Sequence, residues 1–247
     1  MGDSARHGVV LDIEGTTTPI AFVTGTLFPY ARERLLPFLR ANAGEPRIDE
    51  ILAQLESERR REASTDDPPP VLQTSSAPRA DSAAAYAEWL MERDRKSTAL
   101  KALQGMIWAE GYRSGSLRGE VFPDVPPALQ EWRRSGVDVR IFSSGSVLAQ
   151  QLLFRHSRFG DLTPSLSGYF DTTTGAKTDA SSYGRIVEVM ALEPAAVLFV
   201  SDVVAELDAA RQAGLRTALT IRPGNRPAPP GHPHRAVSSL ADIRSGS

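Results

Sequence analysis

Short apolar runs that end in acidic or small polar residues recur along this chain, and their recurrence restricts its possible folds more than any other feature. Gly8-Val9-Val10-Leu11-Asp12-Ile13 is rich in β-branched residues and ends in a carboxylate, with Gly15 close behind. That is the pattern of a buried parallel strand. Later runs at 137–143 and 196–201 end in serine, and a run at 215–221 stops at Arg222-Pro223-Gly224. Helical patterns lie between them at 125–135, opened by Asp124 with prolines in its first turn, and at 147–156, 179–192 and 203–213, the last closed by Gly214. Alternation of strand and helix predicts an α/β fold built on an open parallel sheet.

The first and second runs are separated by about a hundred residues, far more than a normal connection between a strand and the next helix. The segment reads as helical over 25–41, 48–63, 81–93 and 97–111, so it is expected to be an inserted subdomain. Within it, 64–80 holds four prolines and few large apolar residues and is expected to be a surface loop or unstructured link. The Pro-rich stretch at 223–234 reads the same way. The expected organisation is a discontinuous core, 1–24 and 120–247, with a helical insert at 25–119.

Composition narrows the function. With 28 Lys plus Arg against 30 Asp plus Glu, the net charge is −2, which argues against a nucleic-acid partner. Hydrophobic residues at 41% can supply a core without cross-links. The absence of cysteine excludes disulfides, thiolate metal sites and thiol nucleophiles. No apolar run reaches the roughly 18 to 20 residues needed to span a bilayer, and Asp3, Asp12 and Glu14 interrupt any secretory leader. A cytoplasmic protein with no membrane partner is the expectation.

In an open α/β sheet, ligands bind beyond the carboxyl ends of the strands, where residues distant in sequence meet. Here those ends carry Asp12 and Glu14, Ser143 and Ser144, and Asp202, while Lys177 sits in a Gly-Ala-Lys-Thr turn before a helix. Taken singly, each has a bland reading: Asp-x-Glu a turn, Ser-Ser-Gly-Ser a helix N-cap, Lys177 a solvated cation, Asp202 a cap. Together they suit a hard metal ion and a phosphoryl group. Asp12 can attack phosphorus. Glu14, two residues on and so on the same face of a strand, can protonate the leaving alkoxide and then activate water. Magnesium between Asp12 and Asp202 offsets charge repulsion, Lys177 adds positive charge, and Ser143 and Ser144 hold phosphate oxygens.

Asp12-Ile13-Glu14-Gly15-Thr16-Thr17 resembles the first motif of haloacid dehalogenase-like hydrolases, usually Asp-x-Asp-Gly-Thr. Glutamate at the second acidic position, within LDIEGTTTPI, is similar to the enolase-phosphatase family of methionine salvage. LFPYARERL at 27–35, DRKSTALKALQGMIW at 94–108, FPDVPPAL at 122–129, SSGSVLAQQLLF at 143–154, GYFDTTTGAK at 168–177 and SDVVAELDAA at 201–210 agree with that family.

The resemblance implies a Rossmann-like catalytic core with a helical cap. It also implies enolisation and dephosphorylation of 2,3-diketo-5-methylthiopentyl-1-phosphate, through an aspartyl phosphate, to 1,2-dihydroxy-3-keto-5-methylthiopentene. One Mg2+ per subunit and a monomer follow from it too. By position it makes Asp12 the nucleophile and Asp12, Glu14 and Asp202 the metal residues. Ser143, Ser144 and Lys177 become substrate-binding residues, and Glu206 an auxiliary acid beside Lys177.

Other motifs are set aside. Gly175-Ala176-Lys177-Thr178 lacks the Gly-Lys pair and frame of a nucleotide-binding loop, and no Gly-x-Ser-x-Gly occurs. His7, His232 and His234 have no zinc spacing. Arg59-Arg60-Arg61, flanked by glutamates, is expected to be a solvated helix face.

Overall fold

The computed structural model describes residues 7–62, 68–73 and 76–243. The chain forms two compact units. One holds residues 1–25 and 118–247 and the other Thr26–Leu117.

The first unit is built on a six-stranded sheet in the order β3-β2-β1-β4-β5-β6, parallel throughout. Its strands are β1 (Gly8–Leu11), β2 (Asp138–Phe142), β3 (Gly168–Phe170), β4 (Val197–Ser201), β5 (Arg216–Thr220) and β6 (Arg235–Val237). The expected α/β architecture is therefore present. β1 and β4 are buried along their whole length, as central strands covered on both faces must be. β1 pairs with β2 on one side and β4 on the other, with Leu11 opposite both Ile141 and Val200. The order of the sheet reverses at this centre, and ligands of such sheets bind outside it. β3 and β6 lie outside the runs recognised in the sequence; each has three residues, too few to show a periodicity.

Eight helical segments were expected in all, four of them in this unit. These appear as α6 (Val125–Arg134), α7 (Val147–Arg155), α8 (Ala180–Met190) and α9 (Val204–Gln212). Their apolar faces cover the sheet: Tyr183 of α8 packs edge-on against Phe142 and Phe199, at 5.6 and 4.9 Å between ring centres, in a core with Val10, Phe170 and Ile186. Asp124 does stand at the N-cap of α6, but its side chain makes no capping bond. Its carboxylate instead meets Arg222, Ser239 and the Leu240 amide.

The second unit is helical: α2 (Phe28–Ala41), α3 (Pro46–Glu62), α4 (Ser76–Glu92) and α5 (Thr98–Arg113). The expected helix at 25–41 is not uniform. A short α1 (Ile20–Phe22) runs into a π-helical turn, Val23–Leu27, before α2 begins. The boundary between the two units falls inside that turn. α4 starts at Ser76, so the end of the segment read as a link is helical; its proline falls in the first turn, where no intrahelical N–H is required. Residues 64–67, 74 and 75 of that link, and Ala63 at the end of the expected helix 48–63, lie outside the described residues.

Ser97 caps α5 by accepting from the Leu100 amide at 2.9 Å, and Glu58 of α3 accepts from the Ser97 hydroxyl and from the Ala99 amide. Trp108 is buried, its indole N–H donating to Leu27 O at 2.8 Å. Arg59 is not merely solvated: it donates to the carbonyls of Pro69 and Pro70. No helix among the described residues is long and apolar enough to cross a membrane.

Candidate active site

Asp12 follows the last residue of β1, and its amide donates to Val200 O of β4 at 3.0 Å. The chain then turns tightly. The amides of Thr16, Thr17 and Thr18 all converge on Ile13 O at 3.2, 2.9 and 2.8 Å, and Gly15 supplies the positive φ of 71° that the turn requires. The Thr17 hydroxyl donates back to Asp12 O at 3.1 Å. Because β1 ends at Leu11, Glu14 lies in this loop and not in a strand, so strand pleating does not set which way it faces. The loop itself returns Glu14 to the site, pairing it with Thr18 in an isolated bridge.

Lys177 comes from the connection between β3 and α8. The first turn and a half of α8 holds that connection: Ser182 Oγ donates to Ala176 O at 2.8 Å and Tyr183 Oη to Lys177 O at 2.6 Å. Gly175 is required here, since a Cβ would meet Ser182 Oγ at 2.2 Å. Lys177 Nζ then bridges two carboxylates, 2.5 Å from Asp12 Oδ1 and 2.6 Å from Glu206 Oε2. Ser201, the last residue of β4, donates its hydroxyl to Glu206 Oε2 at 2.9 Å and accepts from the Val203 amide. Asp202 does not cap α9, which has no side-chain cap.

The electrostatics follow from this crowding. Burial and then the Asp12 charge push Glu14 up to about 7. The same two causes, in the same order, push Asp202 up to about 6 and raise Glu206. Burial alone would lower the Lys177 ammonium, but Asp12 and Glu206 outweigh it and hold it above its ordinary value. Lys177 thus faces four carboxylates, with the Arg226 charge also acting on Asp202.

Ser143 and Ser144 follow β2. Ser143 is buried, and its Oγ accepts from the Gly145 amide at 3.2 Å; Ser144 is exposed. Ser146 is the residue that caps α7, accepting from the Ala149 amide. Gln150 of α7 fixes the turn by donating to Gly145 O and Phe170 O at 2.8 and 2.9 Å.

The donors present suit a hard divalent cation. They are carboxylate oxygens carrying more negative charge than Lys177 neutralises. Among the described residues, no three acidic or imidazole side chains gather tightly enough to ligate one ion. Mg2+ needs no such cage, since it keeps several waters and takes one or two carboxylates.

Comparison with known proteins settles the family. A haloacid dehalogenase-like hydrolase model matches residues 7–214. The chain is 51% identical over 217 residues to enolase-phosphatase E1 of Synechococcus elongatus, covering 88% of this chain and 89% of that one. It is 48% identical to the enzyme of the same name from Pseudomonas aeruginosa, with 95% and 96% covered. The chain belongs to the enolase-phosphatase family of haloacid dehalogenase-like hydrolases. Among solved structures, UTR4 protein of Saccharomyces cerevisiae matches this enolase-phosphatase chain with a TM-score of 0.76 at 33% identity, covering 95% of this chain and 98% of that one.

Sequence reasoning missed several residues that shape this enolase-phosphatase site. Thr16 shares a 3.2 Å hydroxyl contact with Thr220 at the end of β5. Arg222 donates to Thr16 O, in the loop after Asp12, at 3.3 Å. Asn225 donates to Gly15 O at 2.9 Å. The last two lie in Arg222-Pro223-Gly224-Asn225, whose turn-forming composition was the only local signal and pointed to a loop.

Proposed function

We propose that this hydrolase takes a 2,3-diketo-5-methylthiopentyl-1-phosphate substrate through enolisation and dephosphorylation to an acireductone, with Asp12, Glu14, Lys177 and Asp202 as its working residues. The reading rests chiefly on one observation: Lys177 bridges Asp12 and Glu206 at the carboxyl end of β1 and β4, in a chain half identical to enolase-phosphatases.

Asp12 is the nucleophile, its carboxylate oxygen forming a bond to phosphorus as the bond from phosphorus to the substrate alkoxide breaks. Glu14 supplies the proton to that alkoxide. Burial raises Glu14 above the ordinary carboxylate range, which favours the protonated form this step needs. Once ionised, it takes a proton from the water that hydrolyses the aspartyl phosphate. Lys177 moves its charge from Asp12 toward the incoming phosphoryl oxygens while Glu206 keeps it in place. Ser143, Ser144 and the amides at the start of α7 hold the remaining phosphate oxygens. Asp12 and Asp202, with Glu14 beside them, would hold one Mg2+ per chain, which supplies charge neutralisation and polarises the phosphoryl group. The helical unit, Thr26–Leu117, is assigned the part of a cap that distinguishes one leaving group from another. A cytoplasmic monomer completes the reading, and sedimentation of the purified chain tests the monomer.

The deciding experiment supplies the diketo phosphate with Mg2+ and follows enol absorbance and phosphate release together. Both signals are expected. Phosphate release without the enediol would leave a phosphatase of another ester. Asp12→Asn is expected to fold and to lose phosphate release by more than about a thousandfold, because an amide is a poor nucleophile.

A further inference from the structure

Asn225, in the loop after β5, carries a side-chain oxygen whose surroundings do not account for it. Its Nδ2 donates to Gly15 O at 2.9 Å and to Thr220 O at 3.2 Å. Those two bonds fix the amide, because the opposite orientation would set Oδ1 against two carbonyl oxygens. Oδ1 is left fully buried and without a hydrogen-bond partner. Buried acceptors of this kind are rare and call for an occupant.

The position of Oδ1 narrows what that occupant can be. A Cβ built on Gly15 would lie 2.4 Å from Asp202 Oδ2 and 2.8 Å from Asn225 Oδ1, so the two oxygens crowd the same point beside the Asp12 loop. With Asp202 ionised both are acceptors, and neither brings a proton to the other. A hydrated divalent cation completes such a pair. An amide also suits the position better than a further carboxylate, since Asp12, Glu14, Asp202 and Glu206 already share one lysine.

We propose that Asn225 is a further member of the cation site, its Oδ1 supplying a neutral acceptor oxygen toward the hydrated divalent cation held by Asp12 and Asp202. The inference rests on the cation chemistry proposed above. The amide then plays two parts, since Nδ2 ties down the Gly15 turn while Oδ1 faces the ion. Loop geometry and cation affinity are linked through one side chain.

The test measures Mn2+ binding to the full-length, chelator-stripped protein by electron paramagnetic resonance, with Mg2+ competition, beside the melting temperature without metal. Asn225→Ala is expected to weaken Mn2+ binding by about tenfold, the lower end of what supporting groups of metal sites are worth. Asn225→Asp restores an acceptor but loses the donor. It should melt lower than wild type without metal, yet bind Mn2+ within about twofold of it or more tightly. Unchanged affinity in a folded Asn225→Ala overturns the inference. So does a tenfold loss in Asn225→Asp, because Asn225 would then act only by holding the loop, and this arm decides the matter if Asn225→Ala does not fold. Failure of the wild type to bind Mn2+ overturns the cation chemistry of the site as a whole, whereas equal binding by wild type and Asn225→Ala overturns the role of Asn225 alone.

Discussion

Lys177 Nζ stands 2.5 Å from Asp12 Oδ1, joining two residues 165 positions apart in sequence. Neither group is well solvated, with side chains 11% and 7% exposed. The pair therefore carries a desolvation cost that its mutual attraction must offset, and removing one partner leaves the other charge uncompensated. The arrangement orients the Asp12 carboxylate, the proposed nucleophile, and sets Lys177 where an arriving phosphate can share it.

Lys177→Met removes the cation and leaves Asp12 facing Glu206. Phosphate turnover is expected to fall by about 100- to 1,000-fold, the scale of losing one electrostatic stabiliser of a transition state. Stability without metal should fall by about 3 kcal/mol near pH 8 and by less in mildly acidic buffer, because Glu206, raised by burial and the Asp12 charge, can there take a proton and relieve the repulsion. Denaturant titration at the two pH values checks this; an equal loss at both would separate Lys177 from the carboxylates' charge.

Glu14 and Asp202 make a second prediction. Their ordinary values are 4.5 and 3.8, and in the folded chain they stand at about 7 and about 6. Between those limits the folded protein keeps protons that the unfolded chain has lost, so stability falls as pH rises. For Glu14 the loss is on the order of 3 kcal/mol. The metal-free melting temperature should therefore drop from about pH 5 to about pH 8, and saturating Mg2+ should flatten the fall by neutralising the same carboxylates. A metal-free melting temperature that rises over this range would contradict the crowding. Glu14→Gln should remove most of the drop and, since Gln donates no proton to an alkoxide, most of the turnover.

Much of the site is legible in the amino-acid sequence, for a physical reason. Asp12, Ser143 and Asp202 each follow a run of buried strand residues, and the rules of parallel sheets bring strand ends together. Lys177 is legible because it lies in a short turn leading into α8. Asn225 and Arg222 are not, because their partners Gly15, Thr16 and Asp124 lie between 98 and 210 positions away. Nothing local in a turn reports which distant carbonyl it will meet. Glu14 belongs to the site for a different reason from the one its spacing suggests: β1 ends earlier than its apolar run, and the turn around Ile13 O, not strand pleating, returns the carboxylate.

Gly15 bears directly on Asp202. It holds a φ of 71°, and an added Cβ would press within 2.4 Å of Asp202 Oδ2. Gly15→Ala costs about 1 kcal/mol for the left-handed backbone alone. The larger effect is displacement of the Asp202 carboxylate, and a shift of about 1 Å in a catalytic group is worth roughly a hundredfold in rate. Turnover should thus drop far more than stability does, with weaker Mg2+ dependence. A variant that loses stability but turns over normally would free Asp202 from its assigned place.

Arg222 makes the last prediction, because it couples the loop after Asp12 to residues near the far end of the sequence. Its guanidinium, 5% exposed, grips Asp124 through two bonds of 3.0 and 2.8 Å, donates to Ser238 O at 2.9 Å, and reaches Thr16 O. It also lies over the Phe122 ring, 4.5 Å from its centre. Burial alone would raise Asp124, but bonds from Arg222, Leu240 N and Ser239, with the Arg222 charge, outweigh it and hold the carboxyl below 3.8. Arg222→Met should cost about 3 kcal/mol, as breaking a buried charged pair does. Arg222→Lys should recover little of it, because an ammonium cannot reproduce the planar two-bond grip. Turnover should fall by about tenfold in both through the loosened Thr16 loop, with Mg2+ affinity nearly unchanged, since Asp12 and Asp202 keep their own strand-end positions. Denaturant unfolding, phosphate release and Mn2+ titration on the two variants distinguish this clasp from the cation site: a loss of metal affinity as large as that expected for Asn225→Ala would place Arg222 in the site itself.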